Sequence, residues 1–231
     1  MIELISPPKS LDILLARANQ LAGYSLGEIA DSVNVDMPLN LNKHKGWVGN
    51  FIEQLLGATA GSKAEQDFTH LNIELKTIPI SHQGKPLETT FVALAPLTGN
   101  VGLTWQMSHV HNKLQQVLWI PVEGEREIPL KDRKIGTPIL WSPTQAQERM
   151  LQQDWEELTE LISLGQFDAI NARIGVALQL RPKGANSKVR TDAFDSNGLP
   201  IKTLPLGFYL RNSFTHTIIT DHVRNDSNTY L

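Results

Sequence analysis

The chain has 231 residues, 41% hydrophobic and 19% charged, with a net charge of −3, enough to bury a sizeable core as one large domain or two intimate lobes. It contains no cysteine, which excludes a disulfide scaffold, a thiolate zinc site and a cysteine nucleophile. No apolar run approaches the roughly 18 residues of a membrane span, and "MIELISPPKSLDILLARANQ" lacks the basic start and long apolar centre of a signal peptide, so the expected compartment is the cytoplasm.

In chain order, Leu11, Leu14, Leu15, Ala18 and Leu21 recur at helical spacing from Ser10 to Leu21, with Gly23 as the stop. Ser25 and Glu28 form a capping-box pattern for a second helix through about Val33. "GWVGNFIEQLLG" puts Trp47, Phe51 and Leu55 on one face of a third helix, with Gly57 as its end. A β-rich middle follows. Leu71, Ile73 and Leu75 alternate with Asn72, Glu74 and Lys76, the period of a strand with one buried face. "HQGKPLE" reads as a turn, "TTFVALAP" as a buried strand, and "QQVLWIPV" and "TPILW" as further strands. Helical periodicity returns from Gln145 to about Ile174, with Leu151, Trp155, Leu158, Leu161 and Ile162 as the apolar stripe and Glu156, Glu157 and Glu160 off it. "ALQLRPK" and "GFYLRNSF" read as strands entering and leaving a basic loop. The expected class is α/β: a mixed sheet with helices before and after it, in an α+β arrangement.

Charge is unevenly placed. Residues 171–231 carry eight Lys/Arg against four Asp/Glu, and residues 1–170 carry thirteen against twenty. Arg181, Lys183, Lys188, Arg190, Lys202 and Arg211 cluster in a segment punctuated by Gly, Pro and Asn. Such local excess suits an anionic partner, and a merely solvated loop explains it equally well.

The chemistry-bearing pattern is Asp67, six residues, then Glu74-Leu75-Lys76. Strand geometry puts Glu74 and Lys76 on one face with Leu75 toward the core. An exposed-looking Asp67 lies far enough before the strand for a turn to return its carboxylate beside Glu74. Two carboxylates and the Leu75 backbone carbonyl make an all-oxygen site that favours Mg²⁺ or Mn²⁺ over zinc. A cation there would hold a phosphodiester oxygen and acidify a water, and Lys76 would orient that water or neutralise the developing charge. Glu53, on the third helix, can turn toward the same pocket or remain a surface glutamate. The pattern is short, and an ordinary half-exposed strand also accounts for it. "GATAGSK" fails as a phosphate-binding loop, because three residues separate its glycines and its lysine follows the serine. His109 and His111 in "HVH" would share a strand face but lack a third ligand, and no Gly-x-Ser-x-Gly elbow is present.

"HKGWVG", "GATAGSKAEQDF", "ELKTIP", "GKPLETTFV", "APLTGN" and "LWIPVEGER", followed by "LWSP", "DWEEL", "LGQ", "RPK" and "GFYL", carry a likeness that runs to about Phe214. Over these runs the chain resembles the MutH family, strand-nicking endonucleases of methyl-directed DNA mismatch repair. The resemblance implies a restriction endonuclease-like fold, a single domain whose two lobes flank a DNA cleft. Its catalytic strand would lie within about 45–125 and its basic DNA-reading region within about 175–214. It implies Mg²⁺-dependent nicking of the unmethylated strand at hemimethylated GATC, 5′ to the guanine, with Mn²⁺ as a substitute ion. Asp67, Glu74 and Lys76 match the family's catalytic acid, acid and lysine. Glu53 matches an auxiliary acid, Lys113 a further active-site lysine and Lys45 a phosphate contact. Arg181 and Lys183 match the base-reading loop, and Tyr209 the residue set against the adenine whose methylation is sensed. Phe91 looks like a further DNA contact. His82 and Gln83 occupy a turn that varies in the family. The implied partners are double-stranded DNA with hemimethylated GATC and MutL, with MutS upstream, acting on a monomer away from any membrane. A restriction-type enzyme cutting both strands, and a DNA-binding module with a silent site, are the alternatives. Against the silent module stands the cost of keeping two carboxylates together without a cation.

Overall fold

The computed structural model describes residues 5–38, 46–61, 65–171, 173–184 and 186–228. Its regular elements in chain order are α1 (Leu11–Leu21), α2 (Leu26–Ser32), α3 (Trp47–Leu56), β1 (Glu74–Ile80), β2 (Thr90–Leu94), α4 (His109–Leu114), β3 (Val117–Glu123), β4 (Ile139–Trp141), α5 (Gln145–Ser163), β5 (Leu178–Pro182), β6 (Thr191–Phe194), β7 (Pro200–Thr203), β8 (Leu206–Leu210) and α6 (Asn212–Asn228). They fall into two compact units. The first comprises Met1–Glu88, Gln116–Ser142 and Ile218–Leu231, and the second Thr89–Gln115 and Pro143–Thr217.

The first two helices begin where their caps are written, while α3 starts after Gly46 with no side-chain cap. Ser10 Oγ accepts from the Ile13 amide to open α1, and Ser25 and Glu28 close the reciprocal capping box of α2. The sheet of this unit has the order β1-β3-β4, with β1 parallel and β4 antiparallel to β3. β3 is buried at every residue from Val117 to Val122, which is why its sequence is a continuous apolar run instead of an alternation. Leu14, Leu26, Phe51, Ile52, Phe68 and Leu118 belong to the core joining the helices to the sheet. Each such side chain contributes about 1.5–3 kcal/mol by leaving water.

In the second unit β8 lies between β2 and β5 in an antiparallel sheet, and β6 and β7 form a separate hairpin. On α5, Leu151, Trp155, Leu158 and Ile162 are buried while Glu156, Glu157 and Glu160 are exposed, as the periodicity predicts. The α/β class and the mixed sheet expected from sequence are therefore present, the latter as β1-β3-β4.

Four local expectations are corrected. The helix from Gln145 ends at Ser163 and not near Ile174, because Gly165 takes φ +66° and a Cβ there would lie 2.2 Å from the Asp195 carbonyl carbon. His109 and His111 sit on α4 and not on a strand. "GFYLRNSF" is strand only to Leu210, and Asn212 already belongs to α6. The basic loop contains the β6–β7 hairpin, turning at Gly198, whose amide donates to the Asp195 carbonyl at 2.9 Å.

Candidate active site and nucleic-acid interface

In the first unit a tight reversal returns Asp67 to β1. The Asp67 carbonyl accepts from the Thr59 amide at 2.9 Å, and Phe68 pairs with Ile73 through bonds of 2.9 and 3.3 Å. Between them run a 3-10 turn, Thr69–Leu71, and Asn72 in the left-handed region at φ 56°, which a short polar side chain tolerates. Gln66 Nε2 locks the turn by donating to the Asn72 carbonyl at 3.0 Å. As a result Asp67 Oδ2 accepts the Leu75 amide at 2.8 Å.

That bond also orients the strand edge. The Glu74 amide donates to the Gln116 carbonyl at 3.0 Å, so Glu74 addresses β3. Leu75, the next residue, addresses the opposite, outer edge. Amide and carbonyl of one strand residue point the same way, so the Leu75 carbonyl faces the edge occupied by the Asp67 carboxylate.

Burial differs from the expectation of a half-exposed strand. Asp67 is 7% exposed, Glu74 1% and Leu75 4%, so the strand enters the protein with both faces covered. A buried carboxylate requires compensation. Lys76 Nζ lies 2.5 Å from Glu74 Oε1 and is itself largely covered. Glu74 is thus balanced by the chain's own cation and Asp67 by a peptide amide. The two carboxylates are therefore accommodated without a metal ion, and their proximity does not by itself exclude a silent site.

Glu53 is half-buried on α3. A Cβ at Gly49 would stand 3.7 Å from Thr77 Oγ1 of β1, and Glu53, four residues on, shares that helix face. Lys45 lies outside the described residues. Lys113 is on α4, in the second unit.

The residues expected to contact DNA in the second unit are gathered on its sheet. Phe91 and Gln179 flank Tyr209 in register, and Arg181 stands beside Gly207. The Arg181 guanidinium carbon is 5.7 Å from the Tyr209 ring centroid, and its Nη1 donates to Thr89 Oγ1 at 2.7 Å. Lys183 Nζ lies 4.1 Å from the Phe91 centroid. Phe91 and Tyr209 meet edge to face at 5.4 Å. Burial raises the Tyr209 pKa and Arg181 opposes the shift, so the phenol stays neutral through the physiological range. Gly207 leaves room for this cluster: a Cβ there would lie 2.8 Å from Phe91 Cε2.

Other members of the basic segment are occupied within the protein. Lys202 pairs with Asp192 across the hairpin at 2.5 Å. Arg211 Nη2 donates to the Ile174 carbonyl at 2.6 Å, and Arg190 Nη1 to the carbonyls of Ser187 and Val189. The charge count alone therefore overstates the cationic surface. Two polar residues escape the sequence reading. Thr89 carries no charge or motif to mark it. Asp154 does carry a signal: an acid on the apolar stripe, three residues from Leu151 and four from Leu158. It is 4% exposed and accepts the amides of Val176, Ala177 and Leu178 at 2.6–3.0 Å.

A family model described as "DNA mismatch repair enzyme MutH" matches residues 56–154. The "DNA mismatch repair protein MutH" of Vibrio vulnificus (strain YJ016) is 63% identical over 212 residues, 92% of this chain and 93% of its own. The chain belongs to the MutH family. The proteins of the same name from Actinobacillus pleuropneumoniae serotype 3 (strain JL03) and Klebsiella pneumoniae (strain 342) are 60% and 58% identical, covering 92% and 95% of this chain and 94% and 95% of their own. The stretch matched by the MutH family model includes Asp67, Glu74, Lys76, Phe91 and Lys113, while Glu53, Arg181, Lys183 and Tyr209 lie outside it. The mixed α/β architecture agrees with the restriction endonuclease-like fold expected of MutH proteins. Among the described residues no helix is long and apolar enough to cross a membrane.

Proposed function

We propose that this MutH-family chain is a Mg²⁺-dependent endonuclease that nicks the unmethylated strand of hemimethylated GATC, 5′ to the guanine, in DNA mismatch repair with MutL as its activating partner. The observation carrying the reading is Asp67 Oδ2 on the Leu75 amide, immediately beside the Glu74–Lys76 pair. A loop aspartate has no need of this reversal for solubility.

The donor set fits the ion. Among the described residues no group of three or more His, Cys, Asp or Glu is gathered, so Glu53 does not join Asp67 and Glu74 in one cluster, and the donors on offer are two carboxylates and a backbone carbonyl. Mg²⁺ is commonly held by one or two carboxylates, with water and substrate phosphate completing its shell. Asp67, Glu74 and the Leu75 carbonyl would hold it. Bound there, the ion supplies charge neutralisation at the phosphate and an acidified water. Lys76, already 2.5 Å from Glu74 Oε1, keeps a cation at the strand edge, where it stabilises negative charge developing on phosphate oxygens. Glu53 and Lys113 are assigned auxiliary roles, Lys45 a phosphate contact and Phe91 a contact with DNA. Arg181 and Lys183 present donors suited to guanine acceptors in the major groove, and the Tyr209 ring is suited to sensing a methyl on an adenine amino group.

The test uses Mg²⁺ and three GATC duplexes, unmethylated, hemimethylated and fully methylated, with Glu74→Ala beside the natural chain. The expected result is nicking confined to unmethylated strands, none on the fully methylated duplex, and a loss of at least about a hundredfold in the variant. Paired cuts in both strands of a single encounter would favour the restriction-type reading. Binding without cleavage, with MutL and Mn²⁺ supplied, would leave a DNA-binding module.

A further inference from the structure

Arg181 ends the buried part of β5, where exposure switches from Leu180 to Arg181. An arginine at such an edge samples many rotamers, and fixing it costs up to about 2 kcal/mol of side-chain entropy. Here two contacts restrain it, and the sheet dictates their geometry. Arg181 pairs with Gly207 near one end of β8. Thr89 precedes Thr90, which pairs with Leu210 at the other end. To reach the Thr89 hydroxyl, the Arg181 side chain runs lengthwise along β8 across Tyr209, and its guanidinium carbon sits 5.7 Å from that ring centroid. The anchor is itself well held. Thr90 is 9% exposed and in the ladder, and the β-branched Thr89 has few side-chain rotamers.

We propose that Thr89 is a positioning residue for Arg181: its hydroxyl holds the guanidinium across the face of Tyr209, so that guanine reading and adenine-methyl sensing share one coupled arrangement. The inference rests on the roles proposed above for Arg181 and Tyr209. A guanidinium laid over the ring gains cation–π attraction, and the Thr89 oxygen fixes the direction of its remaining donors. Displacing either ring or guanidinium disturbs the other. Discrimination against a wrong base and discrimination against a methylated adenine should then fall together when the hydroxyl is removed.

The experiment compares the natural chain, Thr89→Val and Thr89→Ser. Nicking is measured on hemimethylated GATC, on fully methylated GATC and on a duplex with the guanine replaced by adenine. Thr89→Val is expected to lower both discrimination ratios by about threefold to tenfold, the range for one lost hydrogen bond. Thr89→Ser should restore both to within about twofold. In an Arg181→Ala background, Thr89→Val should change neither ratio. Thr89→Ala also lacks the hydroxyl and serves if the valine variant does not fold. Unchanged ratios, a fall in only one, or no rescue by serine would overturn the proposal.

A second readout is independent of nicking: the Tyr209 phenol titration in the free protein, by ultraviolet difference against Tyr209→Phe. Arg181 pulls this pKa down against the upward effect of burial. Releasing the guanidinium should therefore move the titration upward in Thr89→Val and back in Thr89→Ser. An unmoved titration overturns the positioning role. Failure of the natural chain to nick hemimethylated GATC overturns the functional reading instead.

Discussion

Asp154 and Glu74 are both acids buried to within a few per cent, at 4% and 1% exposure, yet their surroundings assign them different work. Glu74 is paired with a lysine beside a second carboxylate, the arrangement from which a metal-binding role is proposed. Asp154 instead accepts three successive backbone amides, Val176, Ala177 and Leu178, and so fixes the entry of β5, the strand that ends in Arg181 and Pro182. Removing its carboxylate leaves those amides without their acceptor. Asp154→Ala is expected to cost about 3 kcal/mol or more, read as a lower urea midpoint, whereas Glu156→Ala on the exposed face should stay within about 0.5 kcal/mol. Equal midpoints for the two variants would refute the anchoring role. Asp154 escapes the sequence reading although it is a charge on an apolar stripe, and spacing alone does not say which amides it meets.

At the scale of elements, local chemistry decides where helices start. The α2 capping box makes the point measurable, since the hydrogen bonds from the Ser25 backbone and hydroxyl hold Glu28 below the usual carboxylate range. A depressed folded pKa means stability that is present above the unfolded value and lost as pH falls through the folded one. Glu28→Gln keeps a cap acceptor without the titration. The stability difference between the natural chain and Glu28→Gln should therefore shrink as pH falls from about 6 to about 3, followed by urea unfolding. A difference independent of pH would show that the charged cap contributes nothing. Helix ends are less local. α5 stops at Ser163 because Gly165 packs on the Asp195 backbone, a partner thirty residues away.

For the whole molecule, the charge balance bears on regulation. The net charge is −3, and several cations of the basic segment are engaged within the protein. Arg181, Lys183, Lys188 and Arg190 are exposed. If each of these displaces a counterion from the DNA, whether it meets a base edge or a phosphate, together they contribute about −4 to the slope of log affinity against log salt. Under the proposed function, weak unaided binding would keep the enzyme idle until recruited. Adding MutL at physiological salt is expected to raise nicking several-fold over the chain alone; no stimulation would count against recruitment as the control. Each compact unit is assembled from separated stretches, so any single-cut truncation removes part of a unit.

The sequence by itself determined the elements that rest on neighbours in the chain: the Ser25–Glu28 capping box, the amphipathic face of α5, the strand at "QQVLWIPV", and the family through its long motif runs. It also marked Asp67, Glu74 and Lys76, because residue types and a strand period are local facts. Tertiary structure alone decided that Asp67 returns to the Leu75 amide, that Glu74 is buried with Lys76 as its counter-ion, and that Thr89 restrains Arg181 from ninety-two positions away. Those outcomes depend on loop closure and strand register. Neither is written in any one segment, because each is fixed by where the rest of the chain places its partner.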